Sequence, residues 1–164
     1  MRHLFVLLLI TLFCCSHTNQ KIEVPSDFYF RINNGSTDNY NSKTGLLRRC
    51  GLDKSFGINL TDSEKKEIYN LYRSIDFQNI PREFEIDWND SAVVTLIMPS
   101  FITSIEICEK DSCRKVNLNL IDLDNPIKDK PKALEYMKLY DRIWQIIRGK
   151  EEYKNIPESD CIFI

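Results

Sequence analysis

The chain has 164 residues, with 22 basic side chains against 24 acidic ones, a formal net charge of −2 and 43% apolar residues. A chain of that size can build one real hydrophobic core. Its mildly acidic balance, with no run of basic residues longer than pairs such as Arg48-Arg49 and Arg114-Lys115, argues against nucleic acid as a partner. In chain order, the first element is Leu4 to Phe13, ten residues of which only Thr11 is polar. A membrane-spanning helix needs about 20 such residues. With Arg2 ahead of the run and polar residues from Ser16 to Lys21 behind it, the segment reads as a secretory signal peptide, residues 1–14.

The junction Leu12-Phe13-Cys14-Cys15 resembles the lipobox of bacterial lipoproteins, where a Leu three positions ahead of a Cys precedes cleavage and lipidation of that Cys. The resemblance implies a lipid on Cys15, with residues 15–25 as lipidated cysteine and polar tether and residues 26–164 as one domain. Phe13 is bulkier than the usual lipobox residue, and Cys14 stands where Gly, Ala or Ser is usual. Cys14 as the modified residue, and plain secretion after cleavage near Ser16, are the two alternatives. Acyl chains hold a protein by about 0.8 kcal/mol per buried CH₂, so several chains on one cysteine, palmitate among them, anchor it firmly. The expected location is the cell envelope, on the outer membrane or a periplasmic face, or else outside the cell.

Cys50, Cys108, Cys113 and Cys161 remain in the domain. An even number in an exported chain reads as disulfides, and four cysteines allow three connectivities. Cys108 and Cys113 flank Glu109-Lys110-Asp111-Ser112, a four-residue loop between two strand-like runs, so they face each other across a hairpin. That favours Cys108 with Cys113 and Cys50 with Cys161.

Phe28, Phe30 and Ile32 alternate with polar residues, the period of a half-buried strand. A run near Tyr40, a turn at Ser42–Gly45 and Leu46–Cys50 continue a small meander. Thr61 followed by Glu64 is a capping box, and Ile68, Leu71, Tyr72 and Ile75 recur at helical spacing, so a helix is expected from about Asp62 to Ile75. Phe84, Ile86 and Trp88 alternate with acids, predicting a strand. Ala92 to Met98 predicts a central strand, and Thr103–Cys108 with Cys113–Ile121 a hairpin. The last helix is expected from about Pro131 to Arg148, with Leu134, Met137, Tyr140, Trp144 and Ile147 as its stripe, widened by Leu139, Ile143 and Ile146. Cys161–Ile164 is expected either to return as an edge strand or to pack on the surface. The order predicts an α+β fold: a mainly antiparallel sheet of about five to seven strands, two amphipathic helices on one face. The first helix followed by Asp76-Phe77 and Ile80-Pro81 is similar to small bacterial envelope lipoproteins, a likeness that carries no active site with it.

The two histidines are His3 and His17, in the leader and tether. Their positions exclude Ser-His-Asp and Cys-His catalysis and histidine-bearing zinc sites in the domain. The scattered glycines form no phosphate loop. Asp122-Leu-Asp124-Asn125 has a calcium-like start, but Pro126 stands where the fifth ligand is needed. Asp87 and Asp90 around Trp88 are the one carboxylate pair that suggests hydrolysis. Tyr29, Arg31 and Tyr40 on strand-like runs are candidates for an exposed face that stacks on a sugar or peptide. No catalytic residue, metal or cofactor is assigned. The expected function is a membrane-anchored envelope lipoprotein with a non-catalytic binding or structural domain, its partner an envelope protein, peptide or glycan. The alternatives are a secreted disulfide-bonded protein and a small carboxylate hydrolase.

Overall fold

A computed structural model describes residues 23–35, 37–90, 102–119 and 123–161. The leader with Cys15, the run Ala92–Met98, Asp122 and the last three residues lie outside the described residues. Within them stands a six-stranded sheet: β1 (Tyr29–Asn34), β2 (Asp38–Asn41), β3 (Leu46–Arg49), β4 (Ser55–Gly57), β5 (Ile102–Glu109) and β6 (Ser112–Asn119). The spatial order is β4-β3-β2-β1-β5-β6, and every pairing is antiparallel. The helices are α1 (Asp62–Ser74), α2 (Lys130–Arg148) and α3 (Glu151–Lys154). The protein is therefore α+β, with a mainly antiparallel sheet.

The elements form where local chemistry asks for them. Thr61 accepts the Glu64 amide N–H, while the Glu64 carboxylate accepts the Thr61 N–H at 2.7 Å, closing the capping box of α1. Pro131 sits in the first turn of α2 and Gly149 at its C-cap. The β5–β6 connection is tighter than a four-residue loop. Glu109 pairs with Ser112, leaving Lys110 and Asp111 alone at the tip with φ of 53° and 60°. Two consecutive left-handed residues are the signature of a type I′ turn, whose twist matches that of the strands.

One face of the sheet carries Phe30, Ile32, Tyr40, Leu47, Ile105, Ile107, Val116 and Leu118, all buried. They join a single core with Ile68, Tyr69 and Tyr72 of α1 and with the inner side of α2. The stripe of α2 is rotated relative to the expected one. Leu134 is exposed, and Ala133 and Tyr136 take its place in the core. Tyr136 lies within 3.3 Å of the buried Thr103 hydroxyl, so the sheet offers its ring and its polar tip a partner at once. On α1, Tyr69 is buried where Leu71 was expected, and Leu71 is half-buried.

Phe84–Trp88 does not form the expected strand. Its backbone divides its bonds between two neighbours. The Asn117 N–H donates to Arg82 O, the Lys128 N–H to Glu85 O, and the Asp87 N–H to Pro126 O. Only isolated bridges result, Glu83 with Asn117 and Ile86 with Ile127. Cys161 likewise lies outside any strand.

The C-terminal segment is fastened across the meander end of the sheet. Arg49 grips the buried Asp38 with two hydrogen bonds, of 2.8 and 3.1 Å, and donates to the Pro157 carbonyl at 2.9 Å. Tyr153 donates to the same Asp38 carboxylate at 2.7 Å. A disulfide joins Cys50 to Cys161 across 111 positions of sequence, and a second joins Cys108 to Cys113 across the β5–β6 hairpin.

Candidate functional site

Opposite the face that packs with the described helices, the sheet has a second face, and its residues follow from period two. On β1, Phe30 and Ile32 point to the core, so Tyr29, Arg31 and Asn33 point away. The strand register then sets these residues in rows that run across the strands. Arg48 pairs with Asn39, Asn39 with Asn33, Asn33 with Ser104 and Ser104 with Asn117. The next row joins Leu46, Asn41, Arg31, Glu106 and Lys115. Beyond it, Tyr29 pairs with Cys108, and Cys108 with Cys113.

The first row is polar from end to end. Arg48 and Asn39 are exposed, Asn33 and Asn117 half-buried, and Ser104 is 8% exposed. The side-chain oxygen Oδ1 of Asn33 has no hydrogen-bond donor. In the second row Arg31 donates to Glu106 at 2.7 Å, so those two charges answer each other. The Tyr29 ring is flanked by cations, with Lys43 Nζ 4.8 Å and the Arg31 guanidinium 5.8 Å from its centroid. Arg31, Lys43, Arg48 and Lys115 thus bring positive charge to this face, with Glu106 set among them. In a chain of net charge −2, that is a local reversal of sign.

The face opens at its Tyr29 end into a groove of about 1010 Å³, whose walls include Asp27, Tyr29, Lys43, Lys65, Glu109 and Cys113. Both carboxylates and ammonium groups line it. Glu109 is held there as an acceptor, for the Tyr69 and Tyr72 hydroxyls donate to it at 3.2 and 3.3 Å. The Cys113 sulfur lies 3.8 Å from the Tyr29 hydroxyl.

Tyr29 and Arg31 therefore share an exposed face, but Tyr40 does not. Tyr40 pairs with Ile32, is 1% exposed and donates its hydroxyl to the Ile58 carbonyl at 3.1 Å. Its position in β2 gives it the parity of the core side, which its residue type conceals. Burial, with a contribution from Glu64, pushes its phenol up to about 12. Burial also pushes the Tyr140 phenol up to about 12. These phenols stay protonated as structural donors.

Asp87 and Asp90 lie on a turn, where the Asp90 N–H donates to Asp87 O and the Asn89 N–H to Asp87 Oδ1 at 3.1 Å. Asp90 is exposed, Trp88 is 69% exposed, and neither acid lines the groove. Among the described residues no group of three or more His, Cys, Asp or Glu side chains is arranged to hold a metal ion, and no helix is long and apolar enough to cross a membrane.

Sequence reading alone missed Asn33, Asn39, Arg48, Lys115 and Asn117. The alternation of β1 showed that this strand has a wet side. The order of the strands, which aligns such sides into rows, is tertiary information. Compared with protein-family models and with curated proteins, the chain matches neither.

Proposed function

We propose that the protein is an exported lipoprotein of the bacterial cell envelope, held to a membrane through Cys15, whose α+β domain binds a partner rather than catalysing a reaction. The observation that carries this reading is the pair of disulfides, above all Cys50–Cys161. Disulfides persist in oxidising compartments and are rare in the cytosol, which fits the export leader. Binding is favoured over catalysis by the exposed turn that holds Asp87 and Asp90 and by the broad polar face around Asn33. The same disulfides also fit the second reading, a secreted protein without lipid.

Intact-mass analysis of the protein recovered from membranes tests the proposal. The expected result is loss of residues 1–14, acyl mass on Cys15 and four cysteines that resist alkylation until reduced. Cys15→Ser is expected to move the protein from the membrane to the soluble fraction. An unmodified mass beginning near Ser16 would select the secreted reading. Intact Met1 on cytosolic protein with free thiols would overturn export itself.

A further inference from the structure

We propose that the sheet face opposite the described helices is a binding site for an acidic polysaccharide, a chain of uronate or similarly charged sugars laid across the strands along the row Arg48, Asn39, Asn33, Ser104 and Asn117. The inference rests on the reading of the domain as a binding module and names its ligand.

The geometry sets the length and direction of the site. Neighbouring strands lie about 4.8 Å apart, so the four intervals of the row span about 19 Å. Each strand carries one polar group per step, exposed at Arg48 and Asn39 and more buried at Asn33 and Ser104, a repeat close to that of pyranose units in an extended glycan. An amide offers two donors and an acceptor, and a serine hydroxyl offers both roles, which is what a succession of sugar hydroxyls requires. The Asn33 Oδ1 atom, which has no donor in the free protein, would gain one when its amide turns toward the ligand.

Charge decides the class of sugar. Glu106 answers Arg31, whereas Arg48 at one end of the row and Lys115 beside the other, across from Glu106, are exposed and form no ion pair among the described residues. The planar guanidinium of Arg48 suits a carboxylate held by two hydrogen bonds. Tyr29, half-buried with Lys43 over its ring, supplies an aromatic surface at the border of the face.

Other occupants fit less well. A protein partner wants a desolvated apolar centre, but the exposed large apolar residues of this face, Leu46 and Ile102, stand apart on β3 and β5. A single-stranded nucleic acid wants several stacking rings along its path, and the row has none.

The test uses the full exported protein in detergent. Binding of oligogalacturonate, neutral dextran, polyphosphate and an oligothymidylate is measured by calorimetry at low and high salt. Oligogalacturonate is expected to bind, more weakly at high salt, and dextran to bind less well. Replacing both cations, Arg48→Gln with Lys115→Gln, is expected to weaken binding by at least about tenfold, the scale of losing charge-assisted hydrogen bonds. Asn39→Ala, at an exposed position that leaves the core untouched, is expected to weaken it as well. Lys138→Gln on α2 is the control and is expected to change nothing.

Absence of oligogalacturonate binding would overturn the proposal, as would equal losses in Lys138→Gln. Tighter binding of polyphosphate or oligothymidylate with no effect of Asn39→Ala would also overturn it, leaving a general anion surface. The mass of the same sample reports separately on the anchor. Acylated protein that binds no uronate retains the lipoprotein reading and loses the ligand; unacylated protein that binds does the reverse.

Discussion

At the residue scale, the turn Lys110-Asp111 shows local preference giving way to topology. A non-glycine residue in the left-handed region costs roughly 1–2 kcal/mol, and two such residues sit side by side here. They persist because the β5–β6 register and the Cys108–Cys113 bridge close the hairpin on either side, and because the Lys110 N–H donates to Asp27 Oδ2 at 2.5 Å. Asn and Gly suit a type I′ turn. The double substitution Lys110→Asn with Asp111→Gly keeps that backbone donor and is expected to raise stability by about 1 kcal/mol, read as a higher urea midpoint. An unchanged or lower midpoint would show that the native turn carries no strain. Tyr29 and Tyr40 give the complementary lesson. Both are strand tyrosines, yet one borders the open face and the other is sealed in the core. Which side a tyrosine takes depends on strand parity, and the short run around Tyr40 carried too few alternations to fix it.

At the scale of elements, the chain was most legible where local interactions suffice. The α1 capping box closes within four residues, and the predicted helix from about Asp62 to Ile75 corresponds to Asp62–Ser74. Phe84–Trp88 was not legible, because its alternation is real but its backbone partners are two different segments. The disulfides divide along the same line. A small hairpin ring removes little freedom from the unfolded chain, about 2 kcal/mol, while a ring of over a hundred residues removes nearly 5 kcal/mol on the chain-entropy account. Urea unfolding of Cys50→Ser with Cys161→Ser is therefore expected to show a clearly larger loss than Cys108→Ser with Cys113→Ser. The reverse order would mean that the C-terminal segment is held mainly by Arg49, Asp38 and Tyr153.

At the scale of the whole molecule, charge pairs tie the helical layer together. Lys150, at the start of α3, reaches Glu64 in the first turn of α1 at 2.6 Å. Burial by itself would raise the Glu64 carboxyl, but the hydrogen bonds from Lys150 and Thr61 outweigh it and hold the group below its ordinary 4.5. A carboxyl lowered in the folded state contributes stability above its unfolded value and loses it as pH falls through the folded one. Glu67, lowered chiefly by its hydrogen bond from Arg142, acts in the same direction from a more exposed position. Stability is thus expected to fall as pH drops below about 4.5, and Glu64→Gln to flatten part of that decline. The effect is about 1 kcal/mol, since the pair is only partly shielded from water. A decline of the same steepness in Glu64→Gln would assign the acid sensitivity to other groups.

The sequence by itself determined the elements and the layer they form. Hydrophobic period and helix caps are local codes, read within a turn or a strand. They were enough to show a mainly antiparallel α+β domain with amphipathic helices. Only the tertiary structure decided which strands are neighbours, and with that the rows of the open face, the burial of Tyr40 and the rotation of α2 onto Tyr136. Each of those depends on contacts between residues far apart in the chain, where the register of one strand against the next chooses which polar groups meet.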